Sequence, residues 1–450
     1  MNKKKNAVIS CFFAILLSLI FFGGPLSAAE EGSCITSRCH ADMGKDKYVH
    51  GPVAAGECAV CHGESKKHKD SPRRNKFGAI KDKDIAGVCF KCHEQFETRK
   101  FTHEPVETGE CVACHDPHGS PYKFQLLSKG GEICFECHDN EIVAGEFVHG
   151  PAAVGGCVAC HEPHTANYKN NLKAKGPALC FMCHTDQAEA FQKGKVKHKP
   201  VTEDCTECHN PHSAAKQFML AKKAPELCFG CHKEMEKWVS AASVKHGALS
   251  TEKSCLNCHN AHVSDIDKML ALPPMDLCLG CHDRVQKRAD GTFITNMKKL
   301  LEEKKNHHGP IRQKDCSGCH NTHGSDNFRM LREAYPPTFY IPFDVGQYAL
   351  CFSCHEKSLV LDPETTKLTN FRNGSMNLHF KHVNKPEKGR TCRSCHKTHA
   401  SNHPKHIRES VPFGTWELPV NYEKTKTGGS CTPGCHKLKK YDRVKKAVNK

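Results

Sequence analysis

The sequence predicts a repeat-built fold of short α-helices and irregular segments, with little or no β-sheet, wrapped around an interior that aliphatic side chains do not supply. Three observations predict it. Only 38% of the 450 residues are hydrophobic, and that share already counts 31 cysteines. A chain so poor in aliphatic residues and so rich in charge cannot bury enough of its own surface to fold conventionally. The cysteines fall in closely spaced pairs, each followed at once by histidine, and neighbouring pairs often lie 23 residues apart. Whatever those pairs hold must form the interior.

Taken in chain order, residues 1–29 read as a signal peptide. Lys3, Lys4 and Lys5 precede an apolar stretch from Ala7 to Phe22, and Ser27-Ala28-Ala29 offers small residues for cleavage. The rival reading is an uncleaved anchor, for which the stretch is short. Cys11 lies inside it and would be discarded with it. The mature chain is expected to be exported, with 30 cysteines left. Export permits disulfides, but the spacing points elsewhere. Motif spacing divides the remainder into a regular region, 30–282, a region stretched by insertions, 283–436, and a basic tail, 437–450.

Thirteen times the chain reads Cys-x-x-Cys-His. The first seven are Cys58/Cys61/His62, Cys89/Cys92/His93, Cys111/Cys114/His115, Cys134/Cys137/His138, Cys157/Cys160/His161, Cys180/Cys183/His184 and Cys205/Cys208/His209. The next six are Cys228/Cys231/His232, Cys255/Cys258/His259, Cys278/Cys281/His282, Cys316/Cys319/His320, Cys351/Cys354/His355 and Cys392/Cys395/His396. Two looser versions bracket them, Cys34/Cys39/His40 and Cys431/Cys435/His436. This is the spacing of c-type haem attachment: two thiols add across the vinyl groups of one porphyrin, and the adjacent histidine reaches the iron as proximal ligand. Zinc held by cysteine pairs is the rival, yet zinc does not require a histidine directly after the second cysteine each time. For the two outer motifs, local disulfides are the simpler alternative. The expected cofactor is haem c, about 15 per chain by the motif count.

Histidines set the expected coordination. Of 33, fifteen are proximal, and eighteen remain for the fifteen distal positions of a bis-histidine chain. Six stand three residues after a motif histidine: His118, His164, His212, His262, His323 and His399. Seven stand shortly before a motif: His50, His103, His149, His198, His246, His308 and His382. After His62 the offset position is Ser65, so His68 is taken as its substitute. Fixed offsets from haem motifs make these fourteen the distal candidates. His307, His379, His403 and His406 are left over, and at least one of them is available to complete the set. Which histidine serves which iron stays open.

First cysteines at 111, 134, 157 and 180 mark a 23-residue step, and two unit types alternate. One carries a His-x-Pro segment before the motif and the offset histidine after it. The other opens on an apolar residue, Cys and usually Phe, as in Leu179-Cys180-Phe181. Leu126, Leu172, Leu220, Leu270 and Leu331 recur eight residues after the offset histidines and read as packing on porphyrin. Met219, Met269 and Met330 beside them read as packing rather than axial ligands. Helices are expected from Glu226 to Val239 and Leu277 to Ala289, with a longer amphipathic one near Met297–Lys304, and Pro336–Pro342 as loop.

On these motifs the sequence resembles the doubled-CxxCH family of multihaem c-type cytochromes over roughly residues 34–436, as one single motif and seven doublets. More distantly it is similar to the decahaem subunits of porin–cytochrome conduits. The resemblance implies stacked bis-histidine haems passing electrons in the periplasm or at the cell surface of respiring bacteria. The implied partners are redox proteins: a quinol-oxidising donor and an outer-membrane or extracellular acceptor. A porin, other cytochromes or further copies of the chain are the other partners it suggests.

The formal charge of +16 becomes +13 without the three leader lysines. Fifteen ferric haems with ionised propionates would bring it to about −2, so the basic residues mostly balance cofactors, and nucleic acid is not an expected partner. The basic runs Lys66–Lys83 and Lys437–Lys450 read either as docking surfaces or as a solvated loop and a frayed terminus. The expected function is electron carriage without catalysis. The alternative is a multihaem reductase of a nitrogen or sulfur oxyanion, which needs one open iron; no catalytic residue can be named for it.

Overall fold

The computed structural model describes residues 34–35, 39–63, 65–71, 80–288 and 291–449. The signal peptide, Cys11 and the middle of the Lys66–Lys83 run lie outside them. The described residues form two compact units, one up to 139 together with 154–173, the other 140–153 together with 174–450. Both consist of short helices, 3-10 turns and very short strands.

Each regular motif is a single helical turn. In all thirteen, the histidine N–H donates to the carbonyl of the first cysteine four residues back, at 2.9–3.1 Å. That turn puts both thiols and the imidazole on neighbouring positions of one surface. The looser N-terminal motif closes in a similar way, with His40 N–H on the Cys34 carbonyl at 3.3 Å, whereas His436 N–H goes to Pro433.

This turn interrupts the expected longer helices. The segment Glu226 to Val239 is two helices, Glu226–Phe229 and Lys233–Ala241, because His232 between them sits at φ −86°, ψ 57°, outside the helical region. After the helix Pro274–Leu279 the chain turns into a hairpin, Gln286–Lys287 against Phe293–Ile294, so the expected helix to Ala289 does not extend through the described residues. The amphipathic segment does form, as Met297–Glu303. It starts at Asn296, whose side chain accepts the Lys299 N–H at 2.9 Å. Within the Pro336–Pro342 loop, Tyr340–Ile341 pairs with Gly389–Arg390.

Strand content is small, as expected, but it is placed with purpose. Among the described residues, six two-residue antiparallel ladders join an upstream-histidine segment to an offset-histidine segment far along the chain. In the first unit Tyr48–Val49 pairs with Gly119–Ser120, and Phe101–Thr102 with Thr165–Ala166. In the second, Phe147–Val148 pairs with Ser213–Ala214 and Val196–Lys197 with Val263–Ser264. Val244–Lys245 with Gly324–Ser325 and Asn306–His307 with Ala400–Ser401 complete the set. Each ladder runs directly into an upstream histidine on one side and leaves an offset histidine on the other.

The C-terminal tail is not frayed. Lys439–Asp442 is the edge strand of a three-stranded sheet with Gly428–Cys431 and Glu423–Lys424. Beyond it, Asn373 holds the Ala447 backbone from both sides, at 2.9 and 2.7 Å, and Arg372 reaches the Arg443 carbonyl at 2.9 Å. Tail lysines therefore belong to the structure that carries Cys431.

Among the described residues, the two clusters of buried apolar side chains are small and lie in the second unit. One gathers Tyr335, Tyr348, Val360 and Val383, the other Leu301, Ile311 and Ala400. The rest of that unit surrounds a continuous cavity of about 5730 Å³, lined by motif cysteines and histidines from Cys180 to His436. The polypeptide is a coat around this space, as the composition requires.

Candidate haem-binding site

A left-handed turn anchors the first motif histidine of most doublets. The rings of His115, His161, His209, His259, His320 and His396 each place Nδ1 at 2.8–3.1 Å from a carbonyl nine residues on. That carbonyl belongs to Phe124, Asn170, Phe218, Lys268, Arg329 or Lys405, all at φ between +56° and +59°. The next residue is left-handed too, and its own carbonyl accepts the N–H of the residue following the histidine, as from Asp116 to Gln125 at 2.7 Å. Met219, Met269 and Met330 occupy this second position, so their backbones build the turn. The recurrent leucines come next and bridge back to the motif histidines, His115 to Leu126 for example, which gives them a backbone role besides packing.

Non-glycine residues in this conformation cost of order 1 kcal/mol each, and asparagine tolerates it best. Replacing Asn170 by valine should therefore lower the denaturant stability of the holoprotein by about 1–2 kcal/mol. Chemical unfolding of the two proteins side by side measures it.

The thiols divide by their place in the motif. All fifteen first cysteines, from Cys34 and Cys58 to Cys431, are half-buried. Among second cysteines, the chain leaving the left-handed turn passes over several. Its N–H groups at Leu127, Lys173, Ala221, Ala271 and Arg332 donate to the carbonyls of Cys114, Cys160, Cys208, Cys258 and Cys319, each at 2.9 Å. Those five cysteines are half-buried, whereas Cys395, whose carbonyl accepts the Arg408 N–H at the same 2.9 Å, is exposed. Cys39, Cys61, Cys92, Cys137 and Cys183 are exposed. The motif cysteines thus differ in how far the chain covers them. Cys160, though half-buried, belongs to the first unit and lies outside the large cavity; Cys183 does not line that cavity either, although Cys180 of the same motif does. The physical reason is the thinness of the coat, since roughly 28 residues per motif cannot wrap both thiols and the imidazole. Cys231, Cys281, Cys354, Cys395 and Cys435 are exposed as well, but they line the large cavity.

The ladders organise the other histidines. His50 N–H donates to the His118 carbonyl at 2.9 Å, and His50 Nδ1 lies 2.9 Å from the Pro117 carbonyl. The same clamp joins His103 to His164 and Pro163, His149 to His212 and Pro211, and His198 to His262 and Ala261. His308 N–H likewise meets the His399 carbonyl at 3.0 Å. Opposite the clamp, Asp116, Asn210 and Asn260 accept the backbone N–H of His118, His212 and His262. A carbonyl can only accept, so each Nδ1 facing one carries the proton and Nε2 keeps its lone pair for a metal.

The imidazoles then meet in facing pairs. In the first unit His50 lies against His93 at 5.8 Å between ring centroids, His62 against His118 at 5.9 Å, His103 against His138 at 6.0 Å and His115 against His164 at 6.2 Å. In the second, His149 faces His184, His198 faces His232, His209 faces His262 and His246 faces His282, at 5.9–6.3 Å. His259 faces His323, His308 faces His355 and His320 faces His399, at 6.1–6.2 Å. Most of these rings are within 15° of parallel. The looser N-terminal motif joins the pattern, with His40 6.2 Å from His68 at a 32° tilt.

A crossed register results. Upstream histidine, first motif histidine, second motif histidine and next offset histidine pair one with three and two with four. One clamp therefore holds the partners of both histidines in a doublet. His161 and His212 occupy the first-motif and offset places of their own repeats.

The thirteenth pair was not legible in the repeat: His379 faces His396 at 6.4 Å and 15°. It stands on the helix Leu378–Val383 three residues before His382, whose ring is hydrogen-bonded to the Leu378 carbonyl at 2.7 Å and feels the charge of His436. The remaining histidines lie elsewhere. His307 Nε2 donates to the Leu301 carbonyl, His406 meets His308 edge-on, and His403 joins no ring pair among the described residues.

Burial favours the neutral form of several of these rings. Burial lowers His379 and His399 to about 4, helped by the facing His396 and His320. Burial also lowers His246, His262, His323 and His396. Thiols of consecutive motifs touch. A hydrogen bond from Cys228 draws Cys255 down to about 6, and one from Cys278 draws Cys316 to about 7. Burial, then Cys157, pushes Cys134 up to about 11. No three His, Cys, Asp or Glu side chains converge as a metal site among the described residues. The donors come as facing pairs, not as the fourfold clusters zinc would need.

The family model for the doubled CXXCH motif matches residues 50–98, 103–142, 149–189, 198–237, 246–287 and 308–359, together more than half of the chain. The chain belongs to the doubled CXXCH motif family. Each matched segment begins at an upstream histidine and carries two motifs, so the family repeat coincides with the clamped unit. As a member, the chain is a multihaem c-type cytochrome whose many motifs attach haem covalently, and electron carriage is what the family implies. A search of the curated proteins finds no match. No helix among the described residues is long and apolar enough to cross a membrane.

The residues fit the cofactor. Two metal–imidazole bonds of about 2 Å each, together with the ring radii, account for a centroid spacing near 6 Å, which is too wide for direct stacking. Each motif turn places its thiols beside one member of the pair.

Proposed function

We propose that this doubled CXXCH protein carries electrons along about fifteen covalently bound haems, each iron held between two histidines, as an exported respiratory protein of the periplasm or cell surface. The observation that carries the reading is the set of thirteen facing histidine pairs, each made of one motif histidine and one other. His436 takes His382 as its partner in this reading. Haem supplies a one-electron ferric–ferrous couple when bound. The chain's own residues do the rest. Carbonyl-anchored Nδ1–H groups fix the tautomer and orientation of the imidazoles and raise their basicity. Buried rings stay unprotonated, so their lone pairs remain available. Adjoining motif cysteines, such as Cys89 with Cys111 and Cys351 with Cys392, bring consecutive attachment points together. Electrons then pass between neighbours in motif order, and the donor and acceptor are redox proteins that meet the ends of the row.

Intact-mass measurement of the mature protein tests the count. Fifteen haem additions are expected. Thirteen would remove the two looser motifs, and retention of zinc with no covalent haem would overturn the reading.

A further inference from the structure

Between His282 and His308 lie 25 residues, against 9 to 13 in the corresponding stretches of the preceding doublets. The extra chain forms the hairpin Gln286–Lys287/Phe293–Ile294 and the helix Met297–Glu303. That helix walls a second cavity of about 420 Å³, which shares Leu279, Leu301, His307, Ile311 and Arg312 with the wall of the large one. Its volume falls in the range of small-molecule sites, about 300–1,000 Å³.

The floor is apolar. Met275 and Leu279, one turn apart on the helix Pro274–Leu279, meet Leu301 and Ile311 there. Leu279 lies between Cys278 and Cys281, so the floor is the attachment turn itself. Other second motifs carry phenylalanine at this place, at 90, 135, 181, 229 and 352; the smaller leucine leaves room. The rim is cationic: Lys298, Arg312 and Lys314 stand around it with Glu302 as the lone acid. None of the three cations is in an ion pair among the described residues, although neighbouring Lys299 and Lys304 are paired with Glu303 and Glu409.

We infer that this inserted pocket binds a small aromatic anion, its ring on Leu279 and Met275 and its acidic group at the Lys298–Arg312–Lys314 rim. A flat apolar body suits the floor, and net positive charge at the mouth selects the acid. The ligand would thereby be held against a haem-attachment turn in the middle of the row.

The test is calorimetric titration of the holoprotein with naphthalene-2-sulfonate, haem content being measured alongside. Saturable one-to-one binding is expected. The Lys298→Glu, Arg312→Glu double variant should weaken it at least about tenfold. Leu279→Phe, which restores the residue of the other motifs, should abolish it by filling the floor. No saturable binding to the wild-type protein overturns the proposal, as does affinity that neither variant changes in a protein of full haem content.

Discussion

Replacing His379 by alanine should leave one iron without its sixth ligand and convert that haem alone from low-spin to high-spin. The ring lies 6.4 Å from His396, is nearly parallel to it, and burial holds it neutral. His382 cannot substitute without rebuilding the helix, because its ring is tied to the Leu378 carbonyl. Loss of one axial imidazole should raise the potential of that haem by about 0.2 V, within the span that axial ligands command. His403→Ala is the matched control, since His403 faces no motif histidine, and its spectrum should be unchanged. Magnetic circular dichroism of both variants, with a potentiometric titration, checks the prediction. A wild-type spectrum for His379→Ala would remove it from the ligand set.

The chain made without haem attachment should not fold. Its aliphatic clusters, around Tyr348 and around Leu301, are too small to offset the conformational entropy of more than 400 residues, roughly 1–2 kcal/mol each. The cavity of about 5730 Å³ in the second unit would have to fill with water or collapse. Folding is therefore coupled to cofactor attachment, as in other proteins whose interior is supplied by a bound group. Expression without the attachment machinery should give a chain with unprotected amides by hydrogen exchange and no cooperative denaturation. The holoprotein should protect the ladder amides of His50, His103 and His198, which donate to offset-histidine carbonyls.

Much of the site was legible because its spacing is strict. A fixed offset places His118, His164 and their equivalents at the end of a clamp strand, and the same offset is visible in sequence. Their partners were not legible. The crossed register takes the facing histidine from the next repeat, and only the long-range ladders reveal which. Nor did the motif tell how far the chain covers each thiol: a segment returning from the left-handed turn meets both Cys114 and Cys395, yet Cys114 is half-buried and Cys395 exposed. His379 escaped because, near the C-terminus, a helix replaces the clamp and two histidines three residues apart take over. The broken helices at His232 and Leu279 show the attachment turn overriding helix propensity. The tail misled for another reason: its lysines suggest solvation, while Asn373, distant in sequence, pins the backbone between them.

Bis-histidine coordination throughout is tested most directly by low-temperature EPR of the fully oxidised mature protein, with haem and iron quantified. Wholly low-spin signals, integrating to the haem content, are the expected result. A stoichiometric high-spin haem in the wild-type protein would contradict it, and would mark an open iron where an oxyanion substrate could bind.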